Sequence, residues 1–245
     1  MPELLYGRGD GSELARAGHF DSSSSKSLRI ENVDVFYSLF EVSMDEALAI
    51  IPTGLHPSIP AVMGVTFWRA KDSELGPFTV GFAALACRTG IKPRHLVLQA
   101  YCDSETARDF FASRYGFSCE IAEVFFQETY DRFYGRVNSA SKTVLEVETS
   151  EALPLVGGGV AVKYSPPLNA TQIDGNDVLI QFEAAYDFKR AARGIPKLIT
   201  FDGPIAAKSP VSGTHALCDI EFLPPRFSVD ITIPAEEGGA RKIAR

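Results

Sequence analysis

The sequence predicts a mainly β (α+β) protein, with an antiparallel barrel-like or sandwich-like sheet and a few short helices. Three observations lead there. Segments rich in β-branched and aromatic residues recur along the chain, with turn residues between them. Only two stretches carry convincing helix signals. Strands dominate without a βαβ alternation, so the helices are expected at the margin of the sheet.

Residues 1–28 are polar and glycine-rich and end in the serine run Ser22–Ser25, which reads as an N-terminal tail or loosely docked arm. Residues 29–245 read as a single domain. The first strand segments are 33–42, 61–70, 78–87 and 94–102, followed by 120–127, 143–150 and 159–165. The last are 177–188, 196–202, 216–222 and 226–233. Ser43 with Glu46 three residues later forms a capping-box pattern for a helix that should stop before Pro52. A second helix begins at Asp103 or Ser104, presents Ala107, Phe110 and Phe111 on one face, and stops at Gly116.

Composition narrows the function. The formal net charge of −7 and the lack of a Lys/Arg run argue against nucleic acid as a partner. No apolar stretch approaches the ~20 residues of a membrane helix, and the N-terminus lacks a secretory pattern. Cys87, Cys102, Cys119 and Cys218 show no C-x-x-C spacing, which predicts a reduced, cytoplasmic protein without a zinc knuckle. His19, His56, His95 and His215 are too dispersed to propose a metal triad, and no cofactor is expected. The "GGG" at 157–159 reads as a turn, and "NAT" at 169–171 would be a glycosylation acceptor only in a secreted chain.

The order "SMDEALAIIP", "WRAKDSELGPF", "RHLVLQAYCD" and "YGFSCEIAEV" resembles the acetoacetate decarboxylase superfamily, over residues ~30–235 and most closely over 33–124. The resemblance implies a homo-oligomer and a lysine that attacks a β-keto acid as an amine. In acetoacetate decarboxylase that lysine is activated by a cationic neighbour and desolvation. The family reads Tyr-Gly-aromatic-Pro-Lys-Lys, whereas here Tyr115, Gly116 and Phe117 are followed by Ser118, Cys119 and Glu120. A thiol forms no imine, so the Schiff-base mechanism is absent at this position. A gapless alignment places the pocket arginine at Val33 and the two pocket glutamates at Val65 and Val80.

Strand alternation extends that set, because residues i and i+2 share a face. It adds Val35 and Tyr37 to Val33, Phe67 and Arg69 to Val65, Phe78 and Phe82 to Val80, and Ile121 and Glu123 to Cys119. The expected chamber is apolar and aromatic, with Arg69, Glu123 and Tyr37 as candidate catalytic groups and the remaining residues binding substrate. Core packing explains the valines and phenylalanines equally well. Cys119 reads as an inert buried thiol, a pocket wall or a nucleophile.

The leading expectation is a cofactor-free enzyme, a cyclase, pericyclase or dehydratase-like lyase, acting on a hydrophobic polyketide- or terpenoid-like molecule. Two alternatives stand beside it. One is a carbonyl lyase (decarboxylase, aldolase or hydratase) with a relocated amine such as Lys163; the other is a non-catalytic carrier of a hydrophobic ligand.

Overall fold

The structure, a computed structural model, describes residues 5–14, 20–21, 26–156, 164–173, 175–231 and 240–242. The first half contains β1 (Leu28–Val42), α1 (Met44–Ile50), β2 (His56–Pro57), β3 (Val62–Ala70), β4 (Phe78–Thr89) and β5 (Lys92–Cys102). It continues through α2 (Glu105–Tyr115), β6 (Glu120–Ile121), β7 (Glu123–Glu128), β8 (Phe133–Ser139) and β9 (Lys142–Pro154). The second half contains β10 (Pro167–Ile173), β11 (Asn176–Gln181), β12 (Glu183–Phe201), β13 (Ala207–Leu223), β14 (Phe227–Asp230) and β15 (Ala240–Lys242). Among the described residues no helix is long and apolar enough to cross a membrane.

The strands join in one sheet ordered β15-β14-β11-β10-β5-β4-β3-β1-β13-β12-β9-β8-β7, with β2 on β4 and β6 on β5. Pairing is antiparallel except where β5 meets β6 and β10. The predicted helix ends are seen in detail for α2. The Ser104 hydroxyl accepts the Ala107 N–H, and Gly116 closes the helix in the left-handed region at φ 60°. In α1, Ser43 makes no side-chain cap bond, so only the boundary of the capping-box reading survives. Residues 7–9 of the N-terminal arm dock on α1 and the turn after it, through Gly7 N–H to Leu55 O, Arg8 N–H to Leu48 O and Gly9 N–H to Ile51 O.

Besides the short β2 and β15, the strands β8 ("FYGRVNS") and β10 ("PLNATQI") escaped the sequence reading, because glycine and asparagine there resemble turn residues. The expected strand 177–188 divides at Phe182 between β11 and β12, and the expected strand 196–202 is not separate. The second lies inside β12, which runs unbroken through Pro196. That proline is tolerated because the β12–β13 ladder ends at Gly194↔Gly213, leaving no partner on that side while Pro196 pairs with Thr149 on β9. Most of the 159–165 segment, with the "GGG" turn, lies outside the described residues. Asn169 is buried in β10 and donates to the Tyr115 carbonyl at 3.3 Å, so "NAT" presents no accessible acceptor.

The sheet buries both faces. On one, Phe36, Met63, Val65 and Phe67 pack with Val124, Phe126, Phe133, Val137 and Leu145, so β7–β9 fold back over β1–β4. On the other, Val33, Val35, Trp68, Val80 and Phe82 pack with Phe111 and Tyr115 of α2 and with Phe117, Phe182 and Phe222. The first closure depends on glycine. A Cβ on Gly135 would lie 2.6 Å from the Phe67 ring, and one on Gly81 would meet the same ring at 2.8 Å. Phe67, fully buried, therefore has no side to retreat to. Gly135→Ala is expected to cost about 1–3 kcal/mol, read as a lower urea midpoint at unchanged slope.

Candidate functional site

Register across the central strands decides which predicted residues meet. Val35 pairs with Trp68, Trp68 with Val80, and Val80 with Cys102; one step on, Tyr37 pairs with Thr66 and Thr66 with Phe82. Val33, Val35, Phe78, Val80, Phe82 and Cys119 accordingly belong to the core beside α2. Val65 and Phe67 lie in the opposite core, so the expected grouping of Val65 with Val80 and Cys119 is incorrect. A one-residue displacement in a strand moves every side chain to the other face, and β3 is buried on both and carries one polar residue on each, Thr66 and Arg69, so polarity did not mark the parity. Thr66 and Trp68 face the chamber in place of Val65 and Phe67.

Arg69 goes with Phe67 and leaves the predicted chamber. Its Nε and Nη2 donate to Asp34 Oδ2 at 3.1 and 2.7 Å, Nη1 donates to the Phe126 carbonyl at 2.9 Å, and the guanidinium lies 4.5 Å over the Phe126 ring. Ile121 and Glu123 also fail to reach the chamber; both are exposed. Alternation breaks after Cys119 because β6 is held parallel to β5, Ala122 N–H bonds Cys102 O at 3.0 Å, and β7 then leaves to pair with β8. Glu123 accepts from Asn138 Nδ2 at 2.7 Å. Cys119 is buried, with Sγ 3.9 Å from the Phe117 carbonyl. Lys163 lies outside the described residues.

The cavity on the α2-side core is walled by Tyr37, Thr66, Trp68, Phe82, Tyr164 and Tyr186, with His95 and Ser165 adding polar atoms. Its water-accessible volume is about 20 Å³, room for roughly one water. No lysine, arginine or carboxylate lines it among the described residues. Gly64 makes room for Tyr37, since a Cβ there would lie 2.7 Å from the tyrosine ring. Trp68 continues the aromatic wall toward Cys119 through Phe82 at 5.0 Å and Phe117 at 6.0 Å.

Tyr37 and His95 form the polar centre, with the phenol oxygen 3.1 Å from Nε2. Burial lowers His95 to about 4, partly offset by a hydrogen bond to the Ser165 backbone. The imidazole is therefore neutral at pH 7. With one ring N–H given to that carbonyl, Nε2 is left to accept the Tyr37 O–H. Desolvation raises the Tyr37 hydroxyl well above its ordinary value and does the same to Tyr164 and Tyr186, so all three remain phenols. Among the described residues Trp68 Nε1 has no hydrogen-bond partner, and the Tyr164 hydroxyl, with Thr214 beside it, makes no well-formed bond.

His95 also links the site to stability. Its folded value lies below the ordinary 6.5, so the unfolded chain binds the proton more readily. Stability is then highest above pH 6.5 and is lost as pH falls toward 4, by roughly 3 kcal/mol for this group. Urea titrations across that window should show the decline, and His95→Phe should remove that component.

Sequence reasoning missed His95, Tyr164 and Tyr186. A bulge in the β4–β5 ladder between Ala83 and Ala84 breaks the parity that would have pointed to His95. The tyrosines lie on segments whose approach to β1 no local pattern encodes.

The acetoacetate decarboxylase (ADC) family model matches residues 16–205. The chain belongs to the acetoacetate decarboxylase family. The fold is similar to that of acetoacetate decarboxylase from Legionella pneumophila, with TM-score 0.72 and 17% identity over 84% of this chain and 88% of that one. It is also similar to the enduracididine biosynthesis enzyme MppR, with TM-score 0.69 and 14% identity over 86% and 91% of the two chains. An acetoacetate decarboxylase-like enzyme from Sphingomonas wittichii matches with TM-score 0.64 and 10% identity over 86% and 98%. No curated protein sequence matches the chain.

Proposed function

We propose that this protein is a cofactor-free enzyme, a lyase or cyclase, acting on a neutral hydrophobic carbonyl compound in the aromatic cavity. The observation that carries this reading is the Tyr37–His95 contact, a phenol paired with a neutral imidazole inside an aromatic wall. Such a pair supports general acid–base work. When the ligand's carbonyl oxygen takes over the Tyr37 O–H, His95 Nε2 is freed to accept a proton from the carbon beside the carbonyl, and the phenol O–H donates to the developing oxygen charge. Trp68 Nε1 and the Tyr164 hydroxyl, buried donors without a well-formed acceptor, suit a ligand that brings carbonyl oxygen. The absence of charge among the described lining residues favours a neutral substrate over a keto acid.

With room for about one water, the cavity accepts such a molecule only if side chains in its wall move. Association slower than about 10⁵ M⁻¹s⁻¹ is the kinetic consequence. The test uses acetophenone as a probe in deuterated buffer. The wild-type protein is expected to accelerate α-deuterium exchange, followed by NMR, and to give no lysine adduct with borohydride. A borohydride-stabilised adduct on Lys163 or another lysine would favour the relocated-amine route. Binding of the probe without exchange would favour a carrier.

A further inference from the structure

The aromatic cavity holds more hydrogen-bond donors than one carbonyl oxygen can accept. When a ligand takes over the Tyr37 O–H, the Tyr37 and Tyr164 hydroxyls and the Trp68 Nε1–H all need an acceptor in it. A carbonyl oxygen has two lone pairs, so at least one donor is left for a second oxygen. A donor without an acceptor in an apolar wall carries its full desolvation penalty.

Placement on the sheet divides these donors into two groups. Gly64, Thr66 and Trp68 lie on one face of β3 and line the cavity. The Tyr37 ring leans over Gly64, where an added Cβ would lie 3.2 Å from the phenol oxygen. Tyr164 stays with Tyr37, packed edge-on with ring centroids 5.3 Å apart. Trp68 stands on the far side of Thr66, about 13 Å along the strand from Gly64. It packs there against Phe82, Phe182 and Phe222 at 5.0, 5.7 and 5.6 Å. The two phenols thus serve one end of the cavity and the indole N–H the other.

The remaining lining fixes what joins the two oxygens. No charged residue lines the cavity among those described, so both acceptors are neutral. The burial that keeps His95 neutral also makes it a weaker base. Such a base works best on a carbon flanked by two carbonyls, because the charge formed there is shared by two oxygens. Each of those oxygens then meets a donor already in place.

We propose that the substrate is a neutral β-dicarbonyl compound, with one oxygen at Tyr37 and Tyr164 and the other at Trp68 Nε1. This deepens the carbonyl reading of the aromatic cavity and rests on it. The C–H bond between the two carbonyls breaks, its proton passes to His95 Nε2, and its electron pair spreads over both oxygens as an enolate. Return of that proton from His95 to an oxygen gives the enol.

The test compares benzoylacetone with butyrophenone, which carries a methylene in place of the second carbonyl. Calorimetric titration of the full chain is expected to show the diketone bound at least about tenfold more tightly. Trp68→Phe keeps a ring in the wall and should shrink that preference to within about threefold. Its melting temperature shows whether the variant folds, and the wild-type preference decides the matter without it. Equal affinity for the two compounds in the wild type, or an unchanged preference in folded Trp68→Phe, would overturn the proposal and leave the carbonyl reading standing. Binding of neither compound would overturn both, and capture of the diketone by a lysine would favour the relocated amine over both.

Discussion

Deuterium exchange into acetophenone falls about 10²–10⁴-fold when Tyr37 becomes Phe, the range expected when a positioned acid–base group is removed. The argument is geometric. Tyr37 Oη is 3.1 Å from His95 Nε2, in a cavity with no charged wall residue among those described. Tyr37→Phe keeps the ring that fills the space left by Gly64, so the fold is retained while the hydroxyl is lost. The effect should lie in the exchange rate at saturation more than in probe affinity, because the ring still packs against the ligand. An unchanged rate would remove Tyr37 from the chemistry.

Asp34→Asn should lower stability by about 3–5 kcal/mol, the usual result of breaking a buried ion pair by removing one partner. Asp34 is 1% exposed, accepts two bonds from Arg69, and has Lys71 at 3.5 Å and His215 at 3.4 Å. Loss of its charge leaves Arg69 facing a neutral amide in the core. The value should fall toward the lower end because Arg69 retains the Phe126 carbonyl and partial solvent access. An Asp34→Asn/Arg69→Met cycle should show strong coupling, with the double variant less destabilised than the sum of the singles.

Acid unfolding gives the same interaction an independent signature. Burial works to raise the Asp34 carboxyl, but the approach of His215 to 3.4 Å and the hydrogen bonds and charge of Arg69 hold it far below the ordinary carboxylate range. A folded value below the unfolded one means the stabilisation is complete above about pH 4 and is lost as pH falls further. Denaturant titrations below pH 4 should therefore converge for wild type and Asp34→Asn.

The strand-rich fold, the α2 caps and the family were legible because each rests on local chemistry. Ser104 and Gly116 sit where a helix needs an acceptor and a left-handed residue, and "YGFSCEIAEV" keeps the family's shape without its lysine. The chamber wall was legible only in part. Val33, Val35, Val80 and Cys119 reach the same core, whereas β3 was assigned the wrong parity because both of its faces are buried and each carries a single polar residue. Glu123 and Ile121 were displaced by a break in alternation at β6, which depends on a parallel pairing far from the sequence neighbourhood. Asp34 was not singled out and His215 was set aside with the other dispersed histidines, because an isolated polar residue in a strand looks like a solvent-facing one. Their burial follows only from β7–β9 closing over β1–β4.

The position of a neutral carbonyl ligand decides whether the aromatic cavity is the reacting site. In crystals grown with 4-bromoacetophenone, the anomalous signal of the bromine fixes the ring without reference to the protein. The predicted result places the ligand between Trp68 and Tyr164, with its carbonyl oxygen within about 3.2 Å of the Tyr37 hydroxyl. A ligand seated beside His215 on the opposite face, or bonded to a lysine, would contradict it.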